Sequence, residues 1–128
     1  MKKILIVDDL QEVRQLLTTT LSRTKYQILT AENGLLAVEA ARKQQPDLII
    51  MDVMMPGPIS GLEATRILKG DPQTKLCPII ILTGKDLTED LRTTPQPGAD
   101  KYITKPFSPL KLIDEVESFL GGIGEPLG

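Results

Sequence analysis

Ile4-Leu5-Ile6-Val7-Asp8-Asp9 is the stretch from which the fold can be read. An unbroken apolar run, mostly β-branched and closed by two acids, describes a short strand covered on both faces, since a strand with one wet face would alternate apolar and polar residues. The pattern recurs in Leu48-Ile49-Ile50-Met51 before Asp52, and in Ile79-Ile80-Ile81-Leu82 before Thr83, where Pro78 is tolerated at the strand's opening. Weaker runs at Tyr26 to Thr30 and at Tyr102-Ile103 predict the second and fifth strands.

The segments between these runs carry helical spacing. Leu10, Val13, Leu17 and Leu21 predict a helix reaching about Arg23, and Leu36, Ala37, Ala40 and Ala41 a second one that stops before Pro46, because proline disfavours helix in its predecessor. Ser60 with Glu63 three residues on is a capping-box signal for a third helix, with Ala64, Ile67 and Leu68 as its apolar stripe and Gly70-Asp71-Pro72 as its end. Ser108 as N-cap and Pro109 at the first helical position open the last helix, whose apolar face reads Leu110, Ile113, Val116 and Leu120 before Gly121-Gly122. Strands and helices alternate, with connections too long for hairpins. That order predicts an α/β fold with a five-stranded parallel sheet between helices.

A chain of 128 residues accommodates one hydrophobic core, expected over 1–120, with 121–128 (Gly-Gly-Ile-Gly-Glu-Pro-Leu-Gly) as a flexible tail or linker stub. Only 3% of residues are aromatic, so the core must be aliphatic. A formal net charge of -2 with no basic run argues against direct nucleic-acid binding. There is no His and one Cys, which excludes a His-built metal site, a Ser-His-Asp triad and an internal disulfide, so any metal must be held by oxygen. The short apolar run after Met1-Lys2-Lys3 is neither a signal peptide nor a membrane span. A cytoplasmic location is expected, with Cys77 a reduced, small, buried residue before a strand.

In open parallel sheets the ligand site lies beyond the carboxyl ends of the strands. Those ends carry Asp8-Asp9, Asp52, Thr83-Gly84 and Thr104-Lys105-Pro106. Each has a plain explanation by itself: the acid pair caps a helix, Asp52 opens a turn, Thr83 caps a helix and Lys105 is a solvated charge. Together they place three carboxylates, a hydroxyl and an ammonium on one edge. Clustered carboxylates repel, and oxygen-only ligation suits Mg²⁺, which often joins carboxylates to phosphate. In such a site the Asp52 carboxylate can attack a phosphoryl group in line while Mg²⁺ and Lys105 offset charge on its oxygens, and Thr83 donates a hydrogen bond to it.

At these residues the sequence resembles a CheY-like response-regulator receiver domain over residues 2 to 120. The resemblance is carried by Ile4 to Asp9, Asp52-Val53-Met54-Met55-Pro56 with Gly61-Leu62-Glu63, Ile81-Leu82-Thr83, and Gly98 to Phe107. It implies a doubly wound, flavodoxin-like sheet of strand order 2-1-3-4-5. It further implies Asp52 as phosphoacceptor, Asp9 as a direct Mg²⁺ ligand, Asp8 acting mainly through water, and the Met54 backbone carbonyl as a further ligand. Lys105 would bridge to the phosphate, the peptide bond before Pro106 would be cis, and Thr83 and Tyr102 would be the switch residues. Without the resemblance, Tyr102 reads as an ordinary amphipathic strand residue. The implied role is a two-component phosphorylation switch that is not an enzyme beyond its own phosphotransfer and dephosphorylation. The implied partners are a sensor histidine kinase or phosphotransfer protein and a downstream output, in a monomer or weak phosphorylation-dependent dimer.

Three features depart from that family's pattern. Gly61 follows Asp52 by nine positions instead of the usual eight, so the loop 57–60 carries one extra residue beside the site. Thr94-Pro95-Gln96-Pro97 replaces the last turn of the helix expected between the fourth and fifth strands, which should therefore end near Thr93 and alter the usual output face. Met54 and Lys85 occupy positions that tune self-dephosphorylation, and an apolar Met54 predicts a long-lived phosphoryl group. The competing readings are a haloacid-dehalogenase-like phosphatase, which would need an acid at Met54, and a pseudo-receiver that binds partners without phosphate, although all its acids and its lysine are present. A nucleotide-binding enzyme would need a Gly-rich loop after the first strand. The chain can equally be a stand-alone receiver or a piece of a longer regulator.

Overall fold

A computed structural model describes residues 2–22, 26–53, 57, 59–84 and 98–121. Five strands, β1 (Lys3–Val7), β2 (Gln27–Ala31), β3 (Leu48–Asp52), β4 (Ile79–Thr83) and β5 (Lys101–Thr104), form one parallel sheet in the order β2-β1-β3-β4-β5. The described helices are α1 (Gln11–Leu21), α2 (Gly34–Gln44), α3 (Gly61–Gly70) and α4 (Pro109–Leu120). This is the doubly wound, flavodoxin-like order that the resemblance implies.

Strand side chains alternate between faces, and the apolar runs are continuous because each face is covered. Ile4, Ile6, Leu48, Ile50, Ile80 and Leu82 pack with Leu17 and Leu21 of α1 and Leu112, Val116 and Leu120 of α4. Leu5, Val7, Ile49, Met51, Ile79 and Ile81 face the other way, onto Ala37, Val38 and Ala41 of α2 and Ala64 and Leu68 of α3. The small alanines let α2 and α3 approach the sheet closely.

The caps follow the expected chemistry in three helices. Asn33 Oδ1 accepts from Leu36 N (2.9 Å), Ser60 Oγ from Glu63 N (3.2 Å) and Ser108 Oγ from Lys111 N (3.0 Å). Gly121 closes α4 in the left-handed region (φ 70°) and donates its N–H to Glu117 O at 2.8 Å, a conformation that costs glycine little. α1 differs: its N-cap is Leu10, with no side-chain cap, so the acid pair does not cap it.

The helical stripes need correction at single positions. Leu10, Leu36, Ile67 and Leu110, expected in apolar faces, are exposed, with Leu110 at 74%. In α4 the first buried position is Leu112, ahead of Val116 and Leu120, and in α3 the buried Thr65 sits beside Ala64 and Leu68, its hydroxyl donating to Gly61 O (2.8 Å). A stripe spans about 100° of helix, so a residue at its margin faces in or out according to how the helix rolls on the sheet. The helix expected before β5, Lys85, Thr94 to Pro97 and the tail residues 122–128 lie outside the described residues. None of the described helices is long and apolar enough to cross a membrane.

Candidate functional site

Register places the site. Val7 of β1 pairs with both Ala31 of β2 and Met51 of β3, so Asp8 and Asp52 come one step later on neighbouring strands. Asp52 pairs with Leu82 of β4, and Thr83 with Thr104 of β5, which leaves Lys105 just past the last pair. The ladder continues into the loops through Asp8 N to Ala31 O (3.2 Å), Val53 N to Leu82 O (3.1 Å) and Lys105 N to Thr83 O (2.8 Å). The residues picked from strand ends therefore meet because the strands are parallel and in step.

The Lys105 ammonium lies 3.0 Å from Asp52 Oδ1 and 4.0 Å from Asp8 Oδ2. Asp8, Asp9 and Asp52 each offer a carboxylate oxygen within 4.8 Å of the others. Asp8 is wholly buried. Its Oδ1 accepts from Leu10 N (3.0 Å), while Oδ2 is buried without a hydrogen-bond partner among the described residues. Burial pushes the Asp8 carboxyl above its ordinary range; the Leu10 N–H counters this, and the Asp52 charge adds to it. An orphaned carboxylate oxygen among three convergent acids is a donor set that a hard divalent cation satisfies, so the residues present fit Mg²⁺.

Thr83 is buried, and its hydroxyl donates to Gly84 O at 3.3 Å. Tyr102 is half-buried against the core on the α2/α3 side, and burial raises its phenol pKa. The Lys105–Pro106 peptide bond is cis. Met54 lies outside the described residues. Cys77 is free and half-buried, and desolvation pushes its thiol up to about 12, which removes it from thiolate chemistry.

Gly61 and Arg14 were not marked by sequence reasoning as parts of the site. A Cβ on Gly61 would overlap the Asp52 carbonyl oxygen and lie 3.0 Å from Val53 Cα, so a hydrogen there lets the start of α3 abut the end of β3. Ile59 packs on the core beside α2, where a Cβ on Gly34 would stand 2.9 Å from Ile59 O. Arg14 of α1 donates Nη1–H to the Asp8 carbonyl at 2.7 Å. In sequence Gly61 shows as part of the Gly61-Leu62-Glu63 match and as a spacing from Asp52, not as a contact, and Arg14 as one polar residue on an amphipathic helix.

A parallel sheet of this order with buried acids and a lysine at its carboxyl edge defines a receiver-type regulatory domain. The chain belongs to the response regulator receiver domain family, which matches residues 4–117. It is 40% identical to Protein PilH of Pseudomonas aeruginosa over 122 residues, covering 95% of this chain and 100% of PilH. It is 42% identical to the phosphate regulon transcriptional regulatory protein PhoB of the same species, covering 96% of this chain and 53% of PhoB. Among solved structures, the receiver domain of the Pseudomonas aeruginosa sensor histidine kinase PA1611, with a magnesium ion coordinated in its active site cleft, superposes with a TM-score of 0.85 at 29% identity, covering 94% of this chain and 98% of that one. The protein is thus a receiver domain of two-component signalling.

Proposed function

We propose that this receiver is a phosphorylation switch in which Asp52 takes a phosphoryl group from a phosphohistidine of a sensor kinase or phosphotransfer protein. The observation that carries the reading is the Lys105 ammonium 3.0 Å from Asp52 Oδ1, beside Asp8 and Asp9. An Asp52 oxygen bonds to phosphorus as the phosphorus–nitrogen bond breaks, leaving an acyl phosphate on the chain. Lys105, already paired to Asp52, follows the charge onto the phosphoryl oxygens. Asp8, Asp9, Asp52 and the Met54 carbonyl would hold Mg²⁺, whose charge supplies electrostatic stabilisation of the transferring group. The buried Thr83 hydroxyl exchanges its Gly84 acceptor for a phosphoryl oxygen, and the half-buried Tyr102 repacks beside it.

Exposed Leu10 directly follows the acid pair, so apolar surface borders the site where a partner delivers phosphate. The reading places the receiver in residues 1–120 and in the cytoplasm, with 121–128 as a tail or the start of a linker to an output domain. The test is incubation with Mg²⁺ and a small phosphodonor, followed by mass. The chain gains one phosphoryl group, and Asp52→Ala gains none. Equal labelling of Asp52→Ala overturns the assignment.

A further inference from the structure

The Asp8 carbonyl has no strand to pair with. The β1–β2 ladder takes the Asp8 N–H to Ala31 O, but β2 ends at Ala31, where the chain turns towards α2. Arg14 fills that gap with a charge-assisted bond of 2.7 Å from Nη1 to Asp8 O. Its own backbone N–H donates to Leu10 O at 3.0 Å, so one residue ties both ends of the turn Asp8-Asp9-Leu10 to the first turn of α1. No side chain caps α1, and beyond the Asp8 N–H bond to Ala31 O the turn is held among the described residues by Leu10 N to Asp8 Oδ1. Asp9 is half-exposed, and its side chain makes no hydrogen bond with the described residues, so its carboxylate is placed by the backbone of this turn.

We infer that Arg14 is a positioning residue for cation binding: it fixes the backbone that carries Asp8 and Asp9, without touching metal or phosphate itself. This rests on the reading of the acids as a Mg²⁺ site. With Arg14 in place the turn is ordered before the cation arrives; without it, binding must order the turn. Ordering one backbone residue lowers affinity about tenfold.

The test is calorimetric titration of the metal-free chain with Mg²⁺, for wild type, Arg14→Met and Arg14→Lys, alongside the Mg²⁺ dependence of phosphorylation by a small donor. Arg14→Met is expected to weaken Mg²⁺ binding about tenfold, and Arg14→Lys, which keeps the charge but loses the planar fork, by less. The half-saturating Mg²⁺ concentration for phosphorylation rises in parallel, while the maximal rate changes less than twofold because Asp52 and Lys105 are untouched. Unchanged Mg²⁺ affinity in whichever variant is folded overturns the inference, as does a lower maximal rate at an unchanged half-saturation point. A wild type that binds no Mg²⁺ would instead overturn the reading of the site, and this inference with it.

Discussion

Replacing Asp8 by asparagine should make the metal-free protein more stable. The Asp8 carboxylate is buried, one of its oxygens has no hydrogen-bond partner among the described residues, and Asp9 and Asp52 oxygens lie within 4.8 Å. At an effective dielectric of 20, unit charges at that separation repel by about 3 kcal/mol, and Lys105 at 4.0 Å offsets roughly one such repulsion. What is left is the screened repulsion from half-exposed Asp9 and the desolvation of Asp8, together about 1–2 kcal/mol. Asparagine keeps the Oδ1 acceptor for Leu10 N and presents an amide donor where the orphaned oxygen stood. Thermal unfolding in chelator at pH 7 should show Asp8→Asn melting about 4–8 °C above wild type.

The same reasoning fixes the pH dependence. The folded-state pKa of Asp8 is raised above 3.8, so its ionised form costs stability at neutral pH. That cost is complete above the raised folded value and fades as pH falls through it towards 3.8. The advantage of Asp8→Asn therefore shrinks with acidification. Mg²⁺ at ten times its Kd should add about 1.4 kcal/mol to wild type, and less to the variant. A variant no more stable than wild type at pH 7, or an advantage unchanged down to pH 4, would refute the argument.

Gly61→Ala should cost about 2–4 kcal/mol, because backbone atoms of Asp52 and Val53 stand where the methyl would go and cannot yield as a side chain can. An unchanged urea midpoint would contradict it. Asp100 Oδ2 accepts from both Ile79 N and Lys69 Nζ at 2.8 Å, joining the start of β4 to α3. Asp100→Ala should cost about 1–2 kcal/mol and speed exchange of the Ile79 amide, since Lys69 keeps Cys77 O while Ile79 N loses its acceptor. Unaltered exchange at Ile79 would show that the bond contributes nothing.

Much of this fold is legible from sequence because its signals are local. Continuous apolar runs define the inner strands, Pro46 bounds α2, and Ser60 and Ser108 mark helix starts through bonds to residues three positions on. Asp8, Asp9, Asp52, Thr83 and Lys105 could be selected together because parallel strands must bring their carboxyl ends to one edge. Only the tertiary structure decided the rest. Leu36, Ile67 and Leu110 fit a helical period yet are exposed, because the roll of each helix is set by what packs beneath it. The contacts of Gly61 with the Asp52 backbone, of Arg14 with the Asp8 carbonyl and of Lys105 with two carboxylates join residues 6 to 97 positions apart. Sequence dictates which chemistry reaches the sheet's edge. The distances that leave one carboxylate oxygen orphaned beside a lysine exist only once five strands lie in register.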